Sequence, residues 1–196
     1  DKSMIVHLLT DVGGRESFMV QGIRSSRGRG SKAGLFQPLF PVEFEGLCSP
    51  KMDMHRFKEI HSGMVLHSIP FDIRKSTISL FMAEVIYRLI KESESNSSLF
   101  DFMWHSIAAL DQIEQGVANF HLWWLVNLSR MLGFYPSGEY KKGYYFDIKE
   151  GCYCPIQPLH TLFLTSECSE FLRDFTEVSV ENIAEIGMNR AQRVRF

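Results

Sequence analysis

Residues 15–47 read RESFMVQGIRSSRGRGSKAGLFQPLFPVEFEGL, and the fold turns on two changes of character inside that stretch. From Arg15 to Ile23 the pattern alternates, with Phe18, Val20 and Ile23 set against polar neighbours, as in a half-buried strand. Residues 24–34 carry no large apolar side chain and read as a loop. Leu35 to Leu47 then resumes the strand pattern, with Pro38 and Pro41 pointing to an edge or bulged strand. Working outward, Ser3 to Leu9 is a short β-rich run closed by the turn signal Asp11-Val12-Gly13-Gly14, and Met52 to Leu66 continues the series. Several short strands with turns at this spacing predict a small sandwich or barrel over residues 1–75.

From Ser76 the period becomes helical. Ile78, Phe81, Met82, Val85, Leu89 and Ile90 recur at three- and four-residue steps behind a Ser76/Thr77 cap. Ser97 or Ser98 caps a second helix carrying Phe100, Met103, Trp104, Ile107 and Leu110. A third runs from about Val117 to Leu132 and stops at Gly133. A small hairpin is expected near 143–154, turning at Lys149-Glu150-Gly151, and Ser166 and Ser179 cap two final helices. The expectation is an α+β chain of two domains: β-rich 1–75, then mostly helical 76–196.

With 45% apolar and 13% aromatic residues, the chain can bury a substantial core. Its longest apolar run, Ile78 to Ile90, is broken by Glu84 and Arg88 and falls short of the roughly 20 residues of a membrane span. Four cysteines (Cys48, Cys152, Cys154, Cys168) in a chain with this much core read as reduced thiols of a cytoplasmic protein. The net charge of −2 conceals a split. Residues 1–75 hold 11 Lys and Arg against 8 Asp and Glu, whereas 76–196 hold 10 against 15. A polyanion would therefore meet the first part.

The loop concentrates that charge. Arg24, Arg27, Arg29 and Lys32 stand among glycines and serines, and no acid occurs between Glu16 and Glu43. Phosphates need cations on a backbone that can follow a strand, and serine hydroxyls and glycine amides add donors. The competing reading is a solvated hairpin tip whose arginines serve only solubility. Phe18, Phe36, Phe40 and Phe44 offer rings for base stacking, although rings at strand spacing are more often core. Gly28-x-Gly30-x-x-Ala33 fits a relaxed dinucleotide fingerprint but is followed by two prolines where a helix should open, and Gly30-Ser31-Lys32 fails the phosphate-loop order.

Other chemistry finds little support. Cys152-Tyr153-Cys154 with His160 lacks the second cysteine pair of a structural zinc site, so no metal and no cofactor are expected. No Gly-x-Ser-x-Gly or His-Glu-x-x-His occurs, and the seven histidines are scattered. Glu43 and Glu45 share a strand face but form no acid–base pair. Trp123 and Trp124, with Phe120 and Leu128, make either a core stripe or a groove for a partner peptide; core is the expectation.

The segment Gln21-Gly22-Ile23-Arg24-Ser25-Ser26-Arg27, followed by Gly34-Leu35-Phe36-Gln37-Pro38-Leu39, resembles the RecO family of recombination mediators. Ala83-Glu84-Val85-Ile86-Tyr87-Arg88-Leu89, Leu99-Phe100-Asp101-Phe102-Met103 and Leu132-Gly133-Phe134 follow in the family's order, and the similarity spans about residues 15 to 150. The resemblance implies an N-terminal OB-fold barrel, its first strand preceding Asp1, joined to a helical domain. It also implies a non-enzymatic protein that binds single- and double-stranded DNA, anneals strands and helps load recombinase. RecR and the acidic C-terminal tail of single-strand binding protein are the implied partners. Arg24, Arg27 and Lys32 match the family's basic loop, and Arg29 joins them by context. Many members carry four cysteines, but Ser137-Gly138-Glu139 stands where the first pair would be, so no zinc is expected. A patch of Leu122, Val126 and Arg130 is the candidate for the acidic tail. The competing function is a protein–protein adaptor, with the helical domain as the working part and the barrel as a platform. A metal- or nucleotide-dependent enzyme ranks third.

Overall fold

The computed structural model describes residues 3–21, 32–47, 54–91 and 95–196. The chain separates into two compact units, 1–111 and 112–196. The change from strand to helical pattern near residue 75 falls inside the first of them.

In the first unit, β1 (Met4–Thr10), β2 (Gly14–Val20), β3 (Val42–Leu47) and β4 (His55–Ser62) form one sheet in the order β1-β2-β4-β3. β1 and β2 are an antiparallel hairpin, β3 and β4 are antiparallel, and β2 meets β4 in parallel at Phe18–His55 and Met19–Arg56. Among the described residues the sheet is open, with β1 and β3 as its edges. The third strand, predicted from Leu35, begins only at Val42: a 3₁₀ turn occupies Lys32–Phe36, and β3 is an edge strand as Pro38 and Pro41 indicated.

Alternation sorts the sheet's two faces. Phe18 is fully buried and stacks on Phe57 at 4.5 Å, with Phe44 edge-on at 4.9 Å. Phe36 lies 5.9 Å from Phe57. The rings considered for base stacking thus build the inner core, where each such pair adds about 0.5–1.5 kcal/mol beyond area burial. Phe40 is half-buried.

Helix α1 spans Ile73–Leu89 and α2 spans Ser97–Gln112. The first begins three residues before the predicted cap. Asp72 is the N-cap, its carboxylate accepting from Arg74 N at 2.8 Å, an arrangement that outranks the Ser76/Thr77 pair. Asn96 caps α2 through Leu99 N at 2.9 Å. Arg15 of β2 clamps the end of α1, donating to the carbonyls of Tyr87 (3.2 Å) and Ile90 (2.9 Å). Its guanidinium also lies 4.5 Å over the Tyr87 ring.

The second unit holds α3 (Val117–Met131), a sheet in the order β6-β5-β7 (Cys152–Cys154, Tyr145–Asp147, Phe163–Leu164), α4 (Ser166–Glu177) and α5 (Arg190–Arg195). The hairpin lies where the alternation placed it. The two-residue β7 is too short to carry a period, and α5 is a third terminal segment behind an Asn189–Gln192 capping box. Phe120, Trp124 and Leu128 of α3 are buried, as a core stripe requires.

Gly116 opens α3 at φ +74°, and a Cβ there would sit 2.7 Å from the backbone nitrogen of Ala184. Gly116→Ala therefore combines left-handed strain with a clash against backbone. It should destabilise the second unit by about 1–3 kcal/mol, seen as a fall in Tm with the secondary-structure signal unchanged at low temperature.

Candidate nucleic-acid interface

The basic cluster lies between two described anchors. β2 ends at Val20 and leads through Gln21 into the run 22–31; the chain re-enters the described residues at the 3₁₀ turn begun by Lys32. Arg24, Arg27 and Arg29 lie outside the described residues, as does the side chain of Lys32.

What the structure places is the sheet end from which that run departs. Register puts the last pairs of β2 beside the start of β4, Phe18 against His55 and Met19 against Arg56. Leu47, at the end of β3, sits opposite Arg56 on the other side. The exits of β2 and β3 and the entry of β4 therefore share one end of the sheet. On its inner face His55 Nε2 approaches Glu16 Oε1 at 3.8 Å, both side chains largely buried. On the outer face, His7 bonds Ser17 Oγ at 2.9 Å, and His61 pairs with Glu43 at 3.1 Å. These histidines fill polar positions in the sheet.

A polar staple absent from the sequence reading fixes the segment between sheet and helices. Asp111, 8% exposed at the end of α2, accepts from three consecutive backbone amides: His67 (2.8 Å), Ser68 (2.8 Å) and Ile69 (2.9 Å). Lys75, 4% exposed on α1, donates to Ser68 Oγ at 2.7 Å and to the Asp111 carbonyl at 2.8 Å. Burial pushes the Asp111 carboxyl up, but the amides and the Ser68 hydroxyl outweigh it and hold its pKa below the ordinary carboxylate value. A lysine at the point where the pattern changes period reads in sequence as one more surface cation; only the fold reveals its burial.

In the second unit, Leu122 and Val126 are buried in a core with Phe146, Leu172, Phe175, Ile186 and Met188. Arg130 is exposed, donating to Tyr135 Oη at 2.6 Å with its guanidinium 4.2 Å over that ring. At the hairpin, Ser137 bridges to the β6 side of the turn. Its amide and hydroxyl donate to the Gly151 carbonyl at 2.9 and 2.8 Å, and its carbonyl accepts from Tyr153 N at 3.2 Å. Asp147 closes the turn by accepting from Lys149 N (2.9 Å) and Glu150 N (3.1 Å), and it pairs with His160 at 3.1 Å. Hydrogen bonds thus brace the hairpin. Cys152 and Cys154 are half-buried free thiols and Cys168 is buried. No group of three or more His, Cys, Asp or Glu side chains able to share a metal occurs among the described residues. No helix among them is long and apolar enough to cross a membrane.

Comparison with known proteins adds the following. The family described as "Recombination protein O C terminal" matches residues 70–184. The DNA repair protein RecO of Phocaeicola vulgatus is 37% identical over 196 residues, covering all of this chain and 81% of that protein. The protein of the same name from Bacteroides fragilis is 40% identical over 197 residues, again 100% and 81% of the two chains. That from Flavobacterium johnsoniae is 37% identical over 166 residues, or 85% of this chain and 67% of the relative.

Proposed function

The chain belongs to the RecO family of DNA repair proteins, and from this we propose that it is a non-enzymatic mediator that binds single- and double-stranded DNA through Arg24, Arg27, Arg29 and Lys32. In this reading it works in the cytoplasm, anneals complementary strands, and acts with RecR and the acidic tail of single-strand binding protein to load recombinase. It needs no cofactor or metal, because annealing and loading exchange contacts without breaking a covalent bond. The observation that carries the reading is the acid-free basic run leaving the end of β2, where β3 also ends and β4 begins.

We read the four-stranded sheet as part of an OB-type barrel. Its order, with the parallel β2–β4 contact, supports this, and so does the groove of about 360 Å³ that both open edges border. Met4–Thr10 lines one side and Val42 and Phe44 the other, over Phe100, Met103 and Trp104. A strand pairing with both edges would close the sheet.

The test is a titration of labelled single-stranded oligonucleotide across a salt series. Four phosphate contacts give a log–log slope of about −2.8, at roughly 0.7 per contact for single strands. Binding that does not weaken with salt, or no binding at all, would overturn the proposal.

A further inference from the structure

We propose that Arg56 is a further phosphate contact, and that a bound single strand crosses the outer face of the sheet at the Arg56 end rather than the end bearing Glu43, Glu45 and Glu59. This rests on the DNA-binding reading above and extends it to a residue outside the basic loop.

The four strands carry three cations. Arg15 is committed to two helix carbonyls and the Tyr87 ring. Lys58 is neutralised by Glu45 at 2.8 Å. Arg56 alone of the three is exposed and has no ion-pair partner among the described residues. Register fixes its face: Phe18 and His55 point inward, so their neighbours Met19 and Arg56 point outward. Met19 is two residues from Gln21, the last described residue before the basic run, about 7 Å along the strand. A guanidinium there can therefore take a phosphate of the same strand the loop holds.

The rest of the ribbon argues for direction. A bulge at Lys58 separates the Gly46–Phe57 pair from the Glu45–Glu59 pair, and Glu43–His61 follows. On the outer face the charge thus runs from an arginine with no ion-pair partner among the described residues to three exposed carboxylates, of which Glu45 holds Lys58 and Glu43 holds His61. A polyanion lying along the acidic end would meet repulsion and gain no free cation. The Arg56 end is the only one on this ribbon that attracts it.

Arg56→Ala should lower the magnitude of the single-strand salt slope by about 0.7 and weaken binding several-fold at low salt, while Arg56→Lys restores the slope. Lys58→Ala, two residues away but already neutralised, should leave the slope as in the parent protein. A parent slope with Arg56→Ala, or an equal loss in Lys58→Ala, would overturn this inference. Failure of the parent protein to bind the oligonucleotide in a salt-dependent way would instead sink the underlying reading, so the two failures are separable.

Discussion

Asp111→Ala is expected to destabilise the first unit by about 3–5 kcal/mol, since each backbone donor left without its acceptor costs about 1–3 kcal/mol. The carboxylate satisfies the amides of residues 67, 68 and 69 at once. Alanine leaves three backbone donors without an acceptor, that of Ile69 buried and those of His67 and Ser68 partly buried, while the Lys75 ammonium keeps the backbone carbonyl of residue 111. Native domains hold only about 5–15 kcal/mol in total, so urea unfolding should show the midpoint falling sharply. Lys75→Met should cost less, because the carboxylate keeps its amide donors and the methionine fills the same volume. A Lys75→Met loss equal to that of Asp111→Ala would show that the ammonium, not the amide cradle, dominates. The pH dependence has a definite sign. Asp111 is held below its ordinary pKa in the folded state, so its contribution is present above the unfolded value of about 3.9 and fades as pH falls. The gap between parent and Asp111→Ala should therefore narrow on acidification below about pH 4.

Changing Arg24, Arg27, Arg29 and Lys32 together to alanine should reduce the single-strand salt slope by about 2.8, four contacts at roughly 0.7 each. At about 0.1 M salt that corresponds to an affinity loss on the order of several hundred-fold. Thermal stability is expected to be unchanged, since residues 24–34 bring no large apolar side chain to a core. Single substitutions should each remove about a quarter of the slope change. An unchanged slope in the quadruple variant would show that the loop serves solubility alone and that phosphate contacts lie elsewhere.

These two expectations differ in how visible their residues are in the sequence. The basic run stands out because charge without nearby acid needs no fold to be noticed. Its strands are visible for the same local reason: alternation in Arg15–Ile23 places Phe18 and Val20 on one face whatever the partner strand, and both are buried. α3 is equally plain, ending at Gly133 with φ +82°. Arg56 could have been found too, because His55-Arg56-Phe57 alternates and Phe57 must face the core. That reasoning needed only the choice of which face is wet. Asp111 and Lys75 carry no comparable signal, since an aspartate at the end of one helix and a lysine near the start of another look like ordinary solvated ends.

By itself, the sequence determined the order of β1 to β6 and α1 to α4, the site of the hairpin, the concentration of positive charge after β2 and membership of a DNA repair family. Each of these is written in spacing, composition or ordered likeness along the chain. Tertiary structure alone decided that β2 and β4 lie parallel, that Ser137 braces the hairpin and that Lys75 and Asp111 are buried together. Those outcomes depend on residues from about 14 to 44 positions apart competing for the same amide, carbonyl or charge. A local pattern records which face a side chain takes; it does not record the partner waiting on that face.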